Sequence, residues 1–475
     1  MPTRPYLFYG LTNSICSQCL QKVEAKIIFR DEAVYLVKHC LTHGREEVLI
    51  ADDIEYYKLC QEFIKPGDLP KKFNTSIERG CPYDCGLCPD HEQHSCVTLV
   101  ELTDRCNLSC PVCYADSGAA EVSKLSNTLR NHRSLQEIEQ MLDAVVANEG
   151  EPDIVQISGG EPTLHPDFFA ALDLAKARPI KHLMVNTNGV RIARDRAFCK
   201  RLAGYSPGIE VYLQFDSFEE HALRDLRGAD LREVRTQAIA NLNEFNISTT
   251  LVVTVKKGLN DSELGKIIEY GLQQKCVRGV TFQPIQLAGR LEGCDPKTDR
   301  YTLTQVRRSI LEQSPHFQPE DLLPVPCHPD CLAMAYALKI DGKVIPLAGL
   351  VDPKAFLNMV PNSMVYEQDD SLRSKLFDLF STGNSPEMSA TKLEQLLCCL
   401  PLVTVPKGLT YENVFRVLIV QFLDPYNFDV RSVKRSCIHI AQPNGQLIPF
   451  DTYNIFYRPG APGQHLVPPP PVAKV

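Results

Sequence analysis

The chain contains no tryptophan, only 7 methionines among its 475 residues, and no apolar run near the ~18 residues that cross a bilayer. A membrane span is therefore not expected, and peripheral contact is the one membrane association left open. The first ten residues, Met1 to Gly10, lack the sustained apolar core of a secretory signal. Basic charge is also short. The 50 Lys and Arg against 58 Asp and Glu give a net charge of −8, which offers no footprint for nucleic acid. What the chain has in quantity is cysteine, 19 in all. Without a secretory signal the expected compartment is the reducing cytoplasm, where so many thiols point to metal rather than to disulfides. An apolar share of 44% and a charged share of 23% are ordinary for a globular protein. At roughly 100 to 200 residues per domain, this length implies several units.

The cysteines fall in clusters. Residues 103–114 hold Cys106-x3-Cys110-x2-Cys113, directly after the apolar run Val97 to Leu102. Three thiolates in one short loop suit a four-iron cubane, in which one iron keeps a coordination position free for a small molecule. A closed zinc or structural cluster is the plainer alternative. In the first unit, residues 1–70, Cys16-x2-Cys19 and Cys40-x2-His43 form a knuckle that can close a tetrahedron around zinc or a rubredoxin-like iron. Cys60 competes with His43 for the fourth place, and two short strands are expected at Ala25 to Arg30 and Ala33 to Lys38. The next segment, residues 71–96, repeats the spacing as Cys81-x3-Cys85-x2-Cys88, with Cys96 as the expected fourth thiolate of a closed cluster. His91 and His94 are expected on a surface loop.

From Val97 onward strand and helix signals alternate. Strands are expected at Val97–Leu102, Ile154–Ser158, His182–Asn186, Ile209–Phe215, Ser248–Val255 and Val277–Phe282. Helices are expected at Leu135–Ala147, Asp167–Ala177, Ala193–Leu202, Leu231–Phe245 and Asp261–Gln273, the first opened by a capping box of Ser134 and Glu137. Such alternation gives an α/β fold, a parallel sheet curled into a partial (β/α)6 barrel over residues 97–290. Its chemistry belongs in the loops at the C-terminal strand ends. There stand Ser158-Gly159-Gly160-Glu161-Pro162, Asn186-Thr187-Asn188-Gly189, Gln214-Phe215-Asp216 and Gln283 to Gln286, with Gly289-Arg290 just beyond. The glycine pair would let backbone approach a ligand closely, and Glu161 offers an acceptor for an ammonium group. Each loop alone is a common turn. Their shared place beside the cysteine triplet is what points to a site.

Taken together, these motifs resemble the radical S-adenosylmethionine (SAM) enzymes. The resemblance implies a 4Fe-4S cluster on Cys106, Cys110 and Cys113, with SAM on its open iron. Gly159, Gly160 and Glu161 match the family's segment for the SAM amino group, and Tyr114 matches the aromatic beside the adenine. Asn186, Asn188 and Asp216 match the ribose and carboxylate contacts less closely. The implied chemistry is reductive cleavage of SAM to a 5'-deoxyadenosyl radical, with electrons from a reductant such as flavodoxin or ferredoxin. The knuckle, the Gly80-Cys81 to Pro89 block, and Cys437-Ile-His439 followed by Ile448 to Asn454 are similar to archaeal tetraether synthase and its bacterial relatives, a group that includes dihydropterin methyltransferases. Those relatives carry one or two auxiliary 4Fe-4S clusters. Asp451 stands where a cysteine is usual, which puts the third cluster in question.

Beyond Arg290 a C-terminal α+β auxiliary or substrate domain is expected over residues 291–458, with a disordered, solvated Pro-rich tail at 459–475. Cys327-x3-Cys331 could join Cys437 as ligands. Cys199, Cys276 and Cys294 have no partner spacing, and the vicinal Cys398 and Cys399 read as core. The runs Cys331 to Leu338, Leu393 to Val405 and Val414 to Leu423 are heavily apolar. They tip the expectation toward carbon-carbon bond formation on a lipid chain. Methyl transfer to a reduced pterin is the alternative, and a non-catalytic iron-sulfur protein is the alternative of another class.

Overall fold

The computed structural model describes residues 4–118, 132–296, 298–340, 342–347, 362, 364 and 411–467. The N-terminal part is an antiparallel sheet of four strands in chain order, β1 (Leu7–Ile15), β2 (Lys22–Arg30), β3 (Ala33–Cys40) and β4 (Gly44–Ala51). Asp31 and Glu32, both at positive φ, make the two-residue reversal between β2 and β3, the turn whose twist suits a hairpin. Ala25, Ile27, Phe29, Val34 and Leu36 alternate onto one face and bury it. The strands β1 and β4 had no clear sequence signal, because both mix polar residues into their alternation. The helix α1 (Ile54–Glu62) follows, capped by Asp53, whose carboxylate accepts from the Tyr56 N–H.

The central part is the barrel. In order come β5 (Val97–Glu101), β6 (Val112–Cys113), α2 (Leu135–Glu149), β7 (Ile154–Ser158), α3 (Phe168–Lys176), β8 (His182–Thr187), α4 (Val190–Arg194), α5 (Arg196–Ala203), β9 (Ile209–Gln214), α6 (Glu220–Arg227), α7 (Arg232–Glu244), β10 (Thr249–Val255), α8 (Leu264–Gln273) and β11 (Val277–Pro284). The strands β5, β7, β8, β9, β10 and β11 pair in that order, all parallel, as the alternation predicts. The Ser134 and Glu137 capping box is present on α2. The helix expected over Ala193–Leu202 is split. Asp195 ends α4 and caps α5 by accepting from the Phe198 N–H. Along each strand, alternate residues such as Val155, Ile157, Leu183 and Val185 pack outward against the helices, while Gln156, Met184, Tyr212 and Val252 point into the barrel.

The chain after the barrel forms β12 (Arg290–Leu291), α9 (Leu303–Gln313), β13 (Leu323–Pro324), β14 (Leu332–Ile340), β15 (Lys343–Pro346), β16 (Val414–Val420), α10 (Val430–Val433), β17 (Ile438–Ala441) and β18 (Leu447–Pro449). It continues the barrel sheet at both edges. On one side β16 lies parallel to β11, and β14 lies antiparallel to β16. On the other, β17 lies parallel to β5 and antiparallel to β18. The apolar runs at Cys331–Leu338 and Val414–Leu423 are thus largely strands of this sheet, and their hydrophobicity follows from burial on both faces. Residues 393–405, with Cys398 and Cys399, and residues 468–475 lie outside the described residues. Residues 459–467, expected to begin a disordered extension, instead fold back: the Gly463 N–H donates to the Ile455 carbonyl at 2.9 Å, and Leu466 and Val467 pack on the core. Among those described, no helix is long and apolar enough to cross a membrane.

Candidate active site and metal centres

Cys106, Cys110 and Cys113 line a cavity of about 210 Å³ at the C-terminal strand ends, together with Tyr114, Gly159, Gly160, Glu161, Asn186 and Asn188. The cysteine loop is held from two sides. A Cβ on Gly159 would lie 2.4 Å from the Thr103 carbonyl oxygen, and one on Gly160 would lie 2.4 Å from that of Arg105. The Gly160 and Glu161 N–H groups donate to those same oxygens at 2.7 and 2.8 Å. The glycine pair therefore admits the backbone of the cysteine loop on one side while lining the cavity on the other. From the far side, Gly289 packs on the Cys113 and Tyr114 carbonyls. Arg290 donates to the Cys110 carbonyl at 2.7 Å and the Ser117 carbonyl at 2.6 Å, and β12 pairs with β6.

Glu161 is buried, and both of its oxygens already accept hydrogen bonds, from the Thr163 N–H, the Thr187 hydroxyl and the Asn188 N–H. Burial pushes its carboxyl up, against those donors. Its first task is to tie the Gly159-Gly160 loop to the Asn186–Gly189 turn. Asn188 continues the chain of contacts, donating to the Asn107 side chain at 2.7 Å beside Cys106. Asn186 donates to the Ser158 hydroxyl at 3.4 Å, as the Tyr114 hydroxyl meets the same oxygen at 3.4 Å. The Tyr114 ring packs 4.9 Å from that of Phe450.

Asp216, expected as a cofactor contact, is fully buried and faces inward to two arginines. Arg227 reaches both of its oxygens at 2.7 and 2.8 Å, and Arg235 adds a third bond at 3.0 Å. Burial alone would raise this carboxyl, but the guanidiniums hold it at about 2. The cavity is lined by the arginines instead. Burial pushes the Cys106 and Cys110 thiols up, and at Cys110 the neighbouring Arg227 opposes it. Arg235 Nη1 is buried with no hydrogen-bond partner among the described residues. Two buried cations beside three thiols, one with an unused donor, fit an anionic cluster bearing a ligand carboxylate. Neither arginine was singled out from the sequence. A signal existed: Leu231, Arg235, Ala238 and Leu242 set a charge on an otherwise apolar face of α7.

Outside the barrel mouth, Cys16, Cys19, Cys40 and His43 bring their ligand atoms within 4.8 Å of one another. The sulfurs of Cys19 and Cys40 are 3.8 Å apart, and His43 Nδ1 is 3.4 Å from Cys16 and 3.6 Å from Cys40. A tetrahedral ion with ligands at ~2.3 Å sets sulfurs about 3.8 Å apart. The donor set fits one metal ion. Backbone N–H groups of His43 and Thr42 hold the Cys40 thiol at about 6. Cys60 is not part of this group; it is buried against Tyr56 in the main core.

The second block divides in a way its spacing does not announce. Cys81, Cys85 and Cys88 act on one another electrostatically, but Cys96 is turned away to join Cys327 and Cys437. The Cys327 and Cys437 sulfurs are 3.5 Å apart. Hydrogen bonding from Cys437 and Cys96 overcomes burial and holds the Cys327 thiol at about 5. Cys331, expected with them, instead contacts the Ser432 hydroxyl. Asp451 is near enough to raise both the Cys85 and Cys331 thiols; it accepts from the Leu423 N–H at 2.7 Å, and burial pushes it up to about 7. The two histidines are not surface groups. His91 is buried, bonded to the Ser436 carbonyl at 2.8 Å and packed on His439. His94 lies 3.6 Å from the Cys96 sulfur and bonds Glu149.

A buried ion pair borders the cavity. Glu210 is fully buried on β9 and accepts twice from Arg416 of β16 at 2.9 Å, with Thr250 and His182 on its other sides. The walls also carry Leu99, Gln156, Met184, Tyr212, Val252, Thr281 and Gln283.

A parallel partial barrel with three cysteines, a glycine-glycine-glutamate loop and paired arginines at its mouth defines a radical SAM enzyme. Consistently, the Radical SAM superfamily profile matches residues 100–271, and the HMPTM N-terminal zinc ribbon domain matches residues 8–52. The chain thus joins a radical SAM domain, with the SAM and 4Fe-4S cluster that such a domain uses, to an N-terminal zinc ribbon. It is similar to 7,8-dihydro-6-hydroxymethylpterin dimethyltransferase of Methanocaldococcus jannaschii, 29% identical over 94% of both chains. It is also similar to GTP 3',8-cyclase of Haemophilus influenzae (strain PittEE), 29% identical over 36% of this chain and 48% of the other. Among solved structures, Streptococcus suis SuiB bound to S-adenosylmethionine matches with a TM-score of 0.37 and 17% identity, over 46% of each chain.

Proposed function

We propose that this protein is a radical SAM methyltransferase acting on a reduced pterin. The observation that carries the reading is the similarity to a pterin dimethyltransferase over 94% of both chains, which takes in the ribbon, the barrel and the C-terminal strands. The cavity supports it. Gln156, Gln283, Tyr212 and Thr281 are set among Leu99, Met184 and Val252, a mixture that suits a flat ring with hydrogen-bonding edges. The expectation of a lipid substrate rested on apolar runs whose described parts are strands of the sheet. Hydrophobicity of that kind serves packing and does not argue for a lipid groove.

In this reading Cys106, Cys110 and Cys113 hold the cluster, and Arg227 and Arg235 neutralise its charge and take the SAM carboxylate. Glu161 and Asn188 fix the loops that bear on the SAM amino group and ribose, and Tyr114 backs the adenine. Asp216 acts through the two arginines as a positioning residue. When bound, the cluster and SAM supply the one-electron chemistry. The zinc-ribbon ligands hold one zinc ion; Cys81, Cys85 and Cys88 hold an auxiliary iron-sulfur cluster. Cys96, Cys327 and Cys437 hold a further iron centre, with His94 beside it. A small electron carrier such as flavodoxin or ferredoxin reduces the protein. The test is an anaerobic assay of reconstituted protein with dithionite, SAM and 7,8-dihydro-6-hydroxymethylpterin. The expected products are 5'-deoxyadenosine and a methylated pterin seen by mass spectrometry, both lost in Cys110→Ala. Stimulation of 5'-deoxyadenosine release by lipid extract and not by the pterin would reverse the assignment.

A further inference from the structure

Gln156, at the centre of β7, is only 6% exposed and lines the cavity. Its Nε2 reaches nothing but the Met184 sulfur, at 4.0 Å, and no donor among the described residues reaches its Oε1. The cavity's other glutamines are engaged. Gln214 donates to Asp216 at 2.6 Å, Gln283 to the Tyr212 hydroxyl at 3.1 Å, and Gln286 to the Leu423 carbonyl at 2.8 Å. A buried carboxamide normally has its hydrogen bonds made. One that faces a cavity without them is placed to receive a ligand.

We infer that Gln156 reads the lactam edge of a 2-amino-4-oxopyrimidine ring, the neighbouring ring N–H and C=O that pterin and guanine share. The inference rests on the pterin reading above and names the residue that would select the substrate. A carboxamide offers an acceptor and a donor side by side, so it pairs with that edge through two parallel hydrogen bonds. The strand register sets Leu99 and Met184 directly beside Gln156, and these apolar neighbours suit the faces of a flat ring. Further along the same row of the sheet, beyond Met184, Glu210 and Arg416 satisfy each other, so they do not compete with Gln156 for the polar edge. Gln156 lies two residues before Ser158, beneath the glycine pair and the cysteine loop. A ring gripped there by its lactam edge turns its opposite edge up toward the reacting groups. A hydrocarbon chain has no such edge and would leave the carboxamide unpaired.

The probe is oxidised 6-hydroxymethylpterin, titrated anaerobically into the reconstituted protein and followed by the pterin's own fluorescence, with guanosine as a second arm. Wild type should bind the pterin, and Gln156→Met, which keeps length and loses both hydrogen bonds, should bind it about 10- to 100-fold more weakly. Equal affinity in the variant would overturn the assignment of Gln156 and leave the pterin reading intact. Binding of guanosine but not pterin, with the same loss in the variant, would uphold the edge and overturn the pterin. Binding of neither would overturn both. If Gln156→Met does not fold, as judged by metal content and circular dichroism, wild type is compared on the pterin and its analogue lacking the 4-oxo group. The analogue should lose affinity to the same extent, and equal binding would sink the inference.

Discussion

At the scale of single residues, the site depends on side chains that are missing as much as on those present. Gly160 packs on the Arg105 carbonyl with no room for a methyl group, so Gly160→Ala must push the cysteine loop off the barrel. The expected cost is about 1–3 kcal/mol of stability. The more telling readout is iron: the variant should lose its SAM-dependent iron while the N-terminal metal stays. Asp216 makes a prediction with a sign. Its folded pKa is depressed to about 2 from an ordinary 3.8, so its stabilisation is present above pH 3.8 and is lost as pH falls through 2. Asp216→Asn removes the partner of two buried cations and should cost about 3–5 kcal/mol. Denaturant titrations should find that cost flat between pH 5 and 8; a cost that grows across that window would contradict the pairing with Arg227 and Arg235.

At the scale of elements, the strands were the most legible part. Parallel strands buried on both faces read as short apolar runs, and all six barrel strands fall where those runs stand. The loops after them were legible as sites, but the division of labour within them was not. A glycine pair beside a cavity does not announce in sequence that it also admits the Thr103–Arg105 backbone. Cys96 shows a second limit. It follows Cys88 closely in the chain, yet the Val97 N–H donates to the Cys437 carbonyl at 3.0 Å as β5 pairs with β17. That pairing draws Cys96 to a partner from a distant part of the sequence, which local spacing does not encode. The helix α6 carries no clear periodic signal because it is short, although it delivers Arg227. Substitution separates the centres: Cys106→Ala, Cys110→Ala and Cys113→Ala together should leave auxiliary iron and sulfide that Cys81→Ala, Cys85→Ala and Cys88→Ala together remove. Counts falling only to the ribbon metal in the first variant would mean that no second cluster exists.

At the scale of the whole molecule, the C-terminal strands are part of the barrel sheet, whereas the ribbon is fastened to the rest of the chain by a few specific bonds. Lys38 of the ribbon is buried and donates to the Pro425 and Tyr426 carbonyls at 2.9 and 3.1 Å, and the Thr304 hydroxyl donates to Asp52 at 2.6 Å. Across the sheet, Glu210 of β9 and Arg416 of β16 tie the barrel to the strand that extends it. Glu210→Gln leaves Arg416 buried without its counter-charge and should cost about 3–5 kcal/mol. Calorimetry should show it as a lower melting temperature of the barrel with the ribbon's metal content unchanged; an unaltered melting temperature would mean the pair is not buried as described.

The seat of β17 beside β5 also fixes an order of events during synthesis. The first strand of the barrel leaves the ribosome with one edge bare and keeps it bare until Ile438 to Ala441 have emerged, long after the cysteine loop that follows it. The ribbon needs no residue beyond its own four strands to gather its ligands and can close around metal early. The group of Cys96, Cys327 and Cys437 cannot, because Cys437 arrives much later in the chain. The bare edge of the first barrel strand and the gathering of Cys96, Cys327 and Cys437 are therefore completed together, by the same late segment of the chain.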